Sequence, residues 1–493
     1  MFSGGSDHTH MGFSHKLSAV VLVVLFWTGA LLADLQSDIK RILADRLLQK
    51  TTTAVEVVRL AEKPGDCQVI YERNSRAPLT PASNMKILTT SAALHVLTPQ
   101  FRFRTMLVRH DDDLVIWGDG DPSLGDAELM ETIGWSQTAV FDDWANQLKK
   151  RQIATVRNIV VDDSIYDQEF LHPRWEKHQF TPSGAEVGGL NFAANTIEFT
   201  VQRKGDKVSW LTKPATSYVR VATNTASAGQ KNTVILGRLP ATNVFSLRGT
   251  IDSASVFSAT IHDPGLYAGN VLSELLKSRE IAVSGEVVRD LQSRQKYASA
   301  DAATRDQLWQ VLCIFETPLP AVITRCNKDS MNVYAESLSK RMGASAGGSG
   351  SWQSGEKVVG DFIKMLGVAE TEFHLDDGSG LSRDNTVSVN AIIRCLIHNY
   401  YSPNRQLFID SLPIGGVDGT LKKRFAGSLR GRVFAKTGFI ANVSALSGYV
   451  KTGRGDWYAF SILMNNIPNL SNSSIKPLQD KIVEAIDQAA GAN

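Results

Sequence analysis

Ser83–Asn84–Met85–Lys86 sets a hydroxyl and an amine three residues apart. On a helix that spacing puts both side chains on one face. A serine hydroxyl is a weak nucleophile until a neighbouring base takes its proton. A lysine amine serves as that base only when burial or a second cation lowers its pKa. A helix N-terminus adds unpaired N–H groups and the positive end of a dipole where an oxyanion would develop. The chemistry these groups favour is acyl transfer through a Ser/Lys pair. Spacing alone is weak evidence. Ser37–Lys40, Ser293–Lys296, Ser337–Lys340, Ser354–Lys357 and Ser473–Lys476 share it, and each reads as an ordinary exposed pair. Ser83 differs in its flanks: Thr80–Pro81 predicts a helix start, with Thr as N-cap and Pro at the first position, and Ile87–Leu88 predicts burial.

Two more short motifs follow along the chain. Ser330–Met331–Asn332 precedes a helix expected over Val333–Met342. A hydroxyl there could relay a proton between a lysine and a leaving amine, and a carboxamide could hold a substrate amide. Ser388–Val389–Asn390 and Ser402–Pro403–Asn404 fit the same pattern, and capping or turn formation explains any one of the three. Lys436–Thr437–Gly438 follows a strand expected at Arg432–Ala435. Its glycine leaves room for a substrate strand, and its lysine can attract a carboxylate and depress the pKa of Lys86. A second copy, Lys451–Thr452–Gly453, runs into Gly453–Arg454–Gly455–Asp456 and reads as a hairpin tip. The order SxxK, SxN, KTG on one chain is what gives the signal weight.

The elements that must position these residues lie at both ends of the chain. An amphipathic helix from Asp34 to about Leu48 and strands at Thr52–Val58 and Gln68–Tyr71 precede the Ser83 helix, which runs to Leu97. From Phe101 to about residue 260 short strands alternate with turns such as Gly118–Asp119–Gly120–Asp121–Pro122. Helical patterning returns at Leu266–Lys277, Leu308–Ile323 and Glu356–Leu366, with Gly343–Gly355 as a flexible loop. Strands Ser444–Val450 and Trp457–Asn465 and a helix Ile475–Ala490 close the chain. The expected organisation is α+β: one discontinuous domain (34–97 and 261–493) carrying a β-rich insertion (98–260), which the family resemblance given below implies is two small domains.

Residues 1–33 read as an export signal. Lys16 precedes the apolar run Leu17–Trp27, and small residues follow at Thr28, Gly29, Ala30 and Ala33. Cleavage fits after Ala30 or Ala33; an uncleaved anchor is the alternative, and either exports the rest. With 493 residues the chain is too long for one typical domain, and 43% hydrophobic residues exclude wholesale disorder. Lys plus Arg (52) nearly cancels Asp plus Glu (50), which argues against a nucleic-acid partner. Contact with a membrane surface and the oligomeric state are left open. Cys67, Cys313, Cys326 and Cys395 form no CxxC pair, so no metal site and no cofactor are expected; Cys313 and Cys326 are close enough to pair, and buried free thiols are equally compatible.

With these motifs in order, the chain resembles the serine penicillin-recognising enzymes, and within them the D-alanyl-D-alanine carboxypeptidase/endopeptidase family of class C low-molecular-mass penicillin-binding proteins. The separation of 247 positions between Ser83 and Ser330 matches that family's large insertion. Gly118–Leu124 resembles its G-x-GDP-x-L turn, Asp377–Arg383 its DGSGLSR segment, and Ser411–Pro413 with Gly416–Leu421 its SLP–GxDGTL segment; Ala435–Gly438 with Ser444–Tyr449 resembles its KTG strand and neighbour. The resemblance implies an antiparallel sheet flanked by helices, with a helical subdomain and inserted β-rich domains. It implies Ser83 as acylated nucleophile, Lys86 as its base, and Ser330, Asn332 and Lys436 in proton transfer and substrate orientation. Thr437 and Gly438 would line the substrate strand, the N–H groups of Ser83 and Phe439 would form the oxyanion hole, and Arg383 and Asp162 would lie around the peptide stem. It further implies peptidoglycan peptides as substrate, β-lactams as covalent inhibitors, and a periplasmic or cell-wall location. Met331, Phe439 and Ala441 depart from the family's usual residues, which bears on substrate preference more than on catalysis. A β-lactamase or esterase on the same machinery, or a non-catalytic wall-binding protein, are the competing readings.

Overall fold

The computed structural model describes residues 34–468 and 472–491, so the expected signal at 1–33 lies outside the described residues. The two ends of the chain build one antiparallel sheet of five strands. Its order is Gln68–Arg73, Thr52–Leu60, Trp457–Asn465, Val443–Lys451, Val433–Ile440. The first and last strands of the sequence therefore meet in register, Thr52 opposite Asn465 and Leu60 opposite Trp457. Side chains alternate with period two, and both faces are buried. Val55, Val57, Leu446, Phe460 and Ile462 point to one core, shared with helix 34–43 and helix Asn472–Gly491. Ala54, Val58, Ala445, Tyr449 and Leu463 point to the other.

That second core belongs to a helical layer formed by Met85–Val96, Leu319–Lys328, Asn332–Ser345, Trp352–Met365, Val389–Tyr401 and Arg405–Ser411. Met85–Val96 sits inside it and is buried at every position from Met85 to Leu94. A helix surrounded on all sides needs no polar face, which is why its sequence shows no amphipathic stripe. The loop expected over Gly343–Gly355 is confined to residues 346–351. Helix Asn332–Ser345 runs through Gly343, and Gly355 lies in helix Trp352–Met365, where a Cβ would come within 2.6 Å of the Ser339 carbonyl oxygen. Gly343 and Gly355 let the two helices pack closely on either side of that loop.

The middle of the chain has its own core, reaching from Leu107 to Leu312. It is built on a five-stranded mixed sheet in the order Val287–Arg289, Ile159–Asp162, Asp113–Trp117, Arg102–His110, Trp309–Pro318. Helices Ala139–Lys150 and Pro264–Ser278 cover it. Two three-stranded sheets complete it: Thr196–Lys204 flanked by Lys207–Lys213 and Ser255–Thr260, and Val244–Arg248 flanked by Ile235–Arg238 and Arg220–Asn224. The helix expected over Leu308–Ile323 is overturned for most of its length. Trp309–Pro318 is an edge strand paired with Arg102–His110, and only Leu319–Lys328 is helical. Its run of aromatic and β-branched residues fits either period, and pairing with a distant strand decides between them. Because this strand closes the middle sheet, we propose that the insertion ends near residue 318 and not at 260. All four cysteines are free, with Cys326 and Cys395 buried among the helices.

Candidate active site

The nucleophile turn is pinned before the helix begins. Thr80 does not cap the helix: its N–H donates to Asn465 Oδ1 (2.9 Å) and its carbonyl accepts from Asn465 Nδ2 (3.0 Å), which ties it to the sheet. A single 3₁₀ turn, Ala82–Asn84, then leads into the α-helix. Ala82 holds a left-handed φ of 46°, an unfavourable conformation that only surrounding structure can enforce. Gly380 packs against it so closely that any Cβ there would overlap the Ala82 carbonyl oxygen. Within this turn Ser83 keeps partial exposure while Ala82, Asn84 and Lys86 are buried.

Lys86 has no exposed surface, and its Nζ has three neighbours: Asn332 Oδ1 (2.7 Å), the Ser379 carbonyl oxygen (2.9 Å) and Ser83 Oγ (3.3 Å). Burial lowers its pKa from the usual lysine value. A neutral amine has two N–H groups and one lone pair. In that neutral form, the two carbonyl-type acceptors would take the two hydrogens and leave the lone pair facing the Ser83 hydroxyl. That is the geometry of a base poised to take the nucleophile's proton.

Lys436, also fully buried, donates to Ser330 Oγ (2.9 Å) and to the Thr437 carbonyl (2.9 Å). Burial, and next the charge of Lys86, hold its pKa well below the usual range. Ser330 sits at φ 60°, which turns its hydroxyl out of the helix that starts at Asn332. Gly438 lies where a Cβ would be 2.9 Å from the Pro81 carbonyl oxygen and 3.1 Å from the Ser83 nitrogen. The amides of Ser83 and Phe439 thus sit on adjoining segments, as an oxyanion site requires. Thr437 Oγ1 donates to Thr420 Oγ1 (2.8 Å), Phe439 is exposed, and Arg383 reaches across to the Ala441 carbonyl (2.5 Å) at the mouth of the site.

Several residues that the motif search passed over hold this cluster together. Asn84 Nδ2 donates to the Lys436 carbonyl (2.9 Å) and Asn84 Oδ1 accepts from Ser447 Oγ (2.6 Å), sewing the nucleophile turn to the KTG strand. Asp377, buried, accepts from the N–H groups of Gly380 (2.6 Å) and Ser382 (2.6 Å) and from Asn385 Nδ2 (2.8 Å). Asp377–Arg383 is therefore a loop wound around its own carboxylate, and its function in the site is to present the Ser379 carbonyl to Lys86. Glu336 Oε2 accepts from the Gly378 N–H (2.9 Å) and from Trp352 Nε1 (3.0 Å); burial first, and the neighbouring Asp377 second, push its pKa up to about 8. Asn332 is committed at both ends, since its Nδ2 donates to the Ser183 carbonyl (2.8 Å). Its Oδ1 and Nδ2 are thus each hydrogen-bonded within the protein.

Asp162 does not join the site. It is fully buried on the middle sheet, where Ser293 Oγ (2.6 Å) and the Arg294 (2.7 Å) and Ser164 (3.1 Å) N–H groups occupy its oxygens. Its surroundings make it a structural carboxylate that sets the Ser293 helix on the strand.

A five-stranded antiparallel sheet, a buried Ser/Lys helix beside it and a KTG-type edge strand define a serine hydrolase of the penicillin-recognising fold. The sequence profile of the D-Ala-D-Ala carboxypeptidase 3 (S13) family matches residues 35–489, and the chain belongs to that family. A D-alanyl-D-alanine carboxypeptidase of Actinomadura sp. (strain R39) is 31% identical over 94% of this chain and 86% of its own length. One from Haemophilus influenzae, named DacB, is 24% identical over 85% of this chain and 87% of its own. The crystal structure of penicillin binding protein 4 from Haemophilus influenzae superposes with a TM-score of 0.72 at 21% identity, covering 92% of this chain and 98% of that one. A predatory peptidoglycan endopeptidase from Bdellovibrio bacteriovorus shares the fold more distantly, with a TM-score of 0.51 at 16% identity, 89% of this chain and 92% of that one.

Proposed function

We propose that this chain is an exported D-Ala-D-Ala carboxypeptidase that also cleaves D,D cross-links of peptidoglycan, acts through an acyl-enzyme on Ser83, and is acylated by β-lactams. The observation that carries the reading is the buried Lys86 amine, whose Nζ lies 3.3 Å from Ser83 Oγ and is held by Asn332 Oδ1 and the Ser379 carbonyl. In acylation, Ser83 Oγ attacks the carbonyl carbon of the scissile bond and its proton passes to Lys86 Nζ. The tetrahedral oxyanion is held by the Ser83 and Phe439 N–H groups. Collapse breaks the C–N bond, and the leaving nitrogen takes a proton delivered through Ser330 Oγ, which Lys436 holds. The leaving amine is free D-alanine in the carboxypeptidase reaction and the neighbouring stem in the endopeptidase reaction. Water, activated by the same lysine, then frees the stem and restores Ser83. Arg383, at the mouth of the site, supplies positive charge that draws a carboxylate-bearing peptide to the edge strand.

Labelling with a fluorescent penicillin tests the core of this reading. Adduct on the parent and none on Ser83→Ala is expected; equal labelling of both would refute it. Muropeptide analysis after digestion of purified sacculi separates the two activities: loss of terminal D-alanine marks the first, and conversion of dimers to monomers marks the second. A penicilloyl adduct that clears within seconds would instead indicate a β-lactamase.

A further inference from the structure

The two acceptors that aim Lys86 are themselves held from outside the catalytic domain. Residues 164–183 of the insertion lie along helix Asn332–Ser345, where Asn332, Glu336 and Lys340 are spaced four apart and share one face. At the far end Lys340 Nζ, with no exposed side-chain surface, donates to Asp167 Oδ1 (2.8 Å) and to the Glu169 carbonyl (2.8 Å) and stands 3.6 Å from the centre of the Trp352 ring. Tyr166 donates its hydroxyl to the Ser337 carbonyl (2.6 Å). In the middle, the fully buried Trp175 donates Nε1 to Asp377 Oδ2 (3.0 Å), and His172 Nε2 pairs with the Asp376 carbonyl (2.7 Å). At the near end the Ser183 carbonyl takes the Nδ2 hydrogen of Asn332.

We propose that the insertion is a positioning element of the catalytic base: its 164–183 strap sets both carbonyl oxygens that direct the Lys86 lone pair at Ser83, Asn332 Oδ1 through Ser183 and the Ser379 carbonyl through Trp175 and Asp377. The reasoning is geometric. A neutral amine on a four-carbon stem has no preferred rotation of its own. Only its two acceptors fix where the lone pair points, and a displacement of about 1 Å at a reacting group costs up to 10²-fold in rate. Neither acceptor is held by catalytic-domain contacts alone. Asn332 would otherwise leave one amide end free, and Asp377 would lose the one indole donor in its shell. The two arms are independent of the substrate-facing residues Thr437, Gly438 and Arg383. Loosening them should therefore slow acylation without weakening binding.

The inference rests on Ser83 being the acylated residue, and its test uses the full chain. Trp175→Phe removes the N–H and keeps a ring in the pocket. Stopped-flow acylation by a chromogenic cephalosporin, well below the variant's Tm, separates the acylation rate constant from the dissociation constant of the preceding complex. The expected result is an acylation constant lowered roughly tenfold or more, with the dissociation constant within about twofold of the parent. Asp167→Asn, which weakens the Lys340 anchor at a less buried position, is expected to move the same constant in the same direction by a smaller factor, and stands in if the first variant does not fold. Unchanged acylation in the folded variants overturns the inference alone, as does an equal loss in both constants, the mark of general loosening. A parent that forms no adduct would sink the reading of Ser83 and the inference with it.

Discussion

The chain contains the tripeptide Lys-Thr-Gly twice, fifteen residues apart, and the two copies share almost nothing else. Lys436 is fully buried and hydrogen-bonded to Ser330; Lys451 is exposed at the end of its strand, 5.9 Å from the Trp457 ring. Gly438 is pressed between the Pro81 carbonyl and the Ser83 amide, whereas a Cβ at Gly453 would meet nothing closer than 3.9 Å. Thr437 pairs its hydroxyl with Thr420, while Thr452 closes a turn by donating its backbone N–H to the Asp456 carbonyl (2.8 Å). The first copy lies within strand Val433–Ile440, and the second starts on the last residue of the neighbouring strand Val443–Lys451. What separates them is which end of the strand they occupy and what stands there. The first faces the nucleophile turn and the SxN serine. The second runs into a hairpin, with Lys451 and Gly453 exposed. A motif acquires chemistry from the desolvation and the partners its position supplies.

The sharpest way to break that contrast is to remove the amine from each copy. Lys436→Met is expected to cut β-lactam acylation by about 10³-fold, the scale on which positioned proton-transfer groups contribute. Lys451→Met should stay within about twofold of the parent. Acylation kinetics on both purified variants check this, and comparable losses would show that position does not distinguish the copies.

The lowered pKa of the buried lysines gives the next test. Burial favours the neutral amine of Lys86, so the base is competent below the ordinary lysine range near 10.5. The sign follows directly: acylation falls as pH drops through the depressed Lys86 pKa, and is restored above it. The acid limb of the pH–rate profile should therefore sit below 10.5, and Lys451→Met should leave it in place. A limb at the ordinary value would mean that desolvation does not tune the base.

Backbone clearance provides a smaller effect. Gly438→Ala forces a methyl group against Pro81 and Ser83, which are fixed by the Thr80–Asn465 pair and cannot easily give way. We expect a loss of about tenfold in acylation and about 1–3 kcal/mol in stability. Gly453→Ala should change neither measurably, and chemical denaturation alongside the rate assay tells them apart.

This contrast also explains what the sequence can and cannot disclose. Ser83, Lys86, Ser330, Asn332 and Lys436 stand out because side-chain type and spacing carry their chemistry. The sheet strands at both chain ends were legible from β-branched and aromatic runs, and the helices around Ser83 from their length and apolar content. Ser379 and Ser183 act through backbone carbonyls, which any residue type possesses, so nothing in the letters marks them. Asn84 and Trp175 are single polar groups whose partners lie 352 and 202 residues away. Asp162 entered on the resemblance of Val161–Ile165 alone, and no letter of that segment shows that its oxygens are taken by Ser293 and Arg294. Trp309–Pro318 was misread because its apolar run satisfies both periods, and the strand that captures it is two hundred residues earlier in the chain.

The last test asks whether burial without a partner has any use. Glu56 lies in the same sheet as Lys436 and is nearly as buried, but its Oε2 has no hydrogen-bond partner and Glu72 stands opposite it on the neighbouring strand. Burial first, and Glu72 second, push its pKa up from 4.5 to about 7. The folded state thus holds a proton that the unfolded chain releases near 4.5. Its contribution is harmless below that pH, turns unfavourable as pH rises from there, and reaches its full cost above about 7. Glu56→Gln keeps the shape and removes the titration. It should stabilise the protein by about 1–2 kcal/mol at pH 8 and by almost nothing at pH 4, with acylation unchanged. Thermal unfolding across that range decides it. A gain independent of pH would trace the effect to packing, and a loss of acylation would place Glu56 with the buried groups that the chemistry uses.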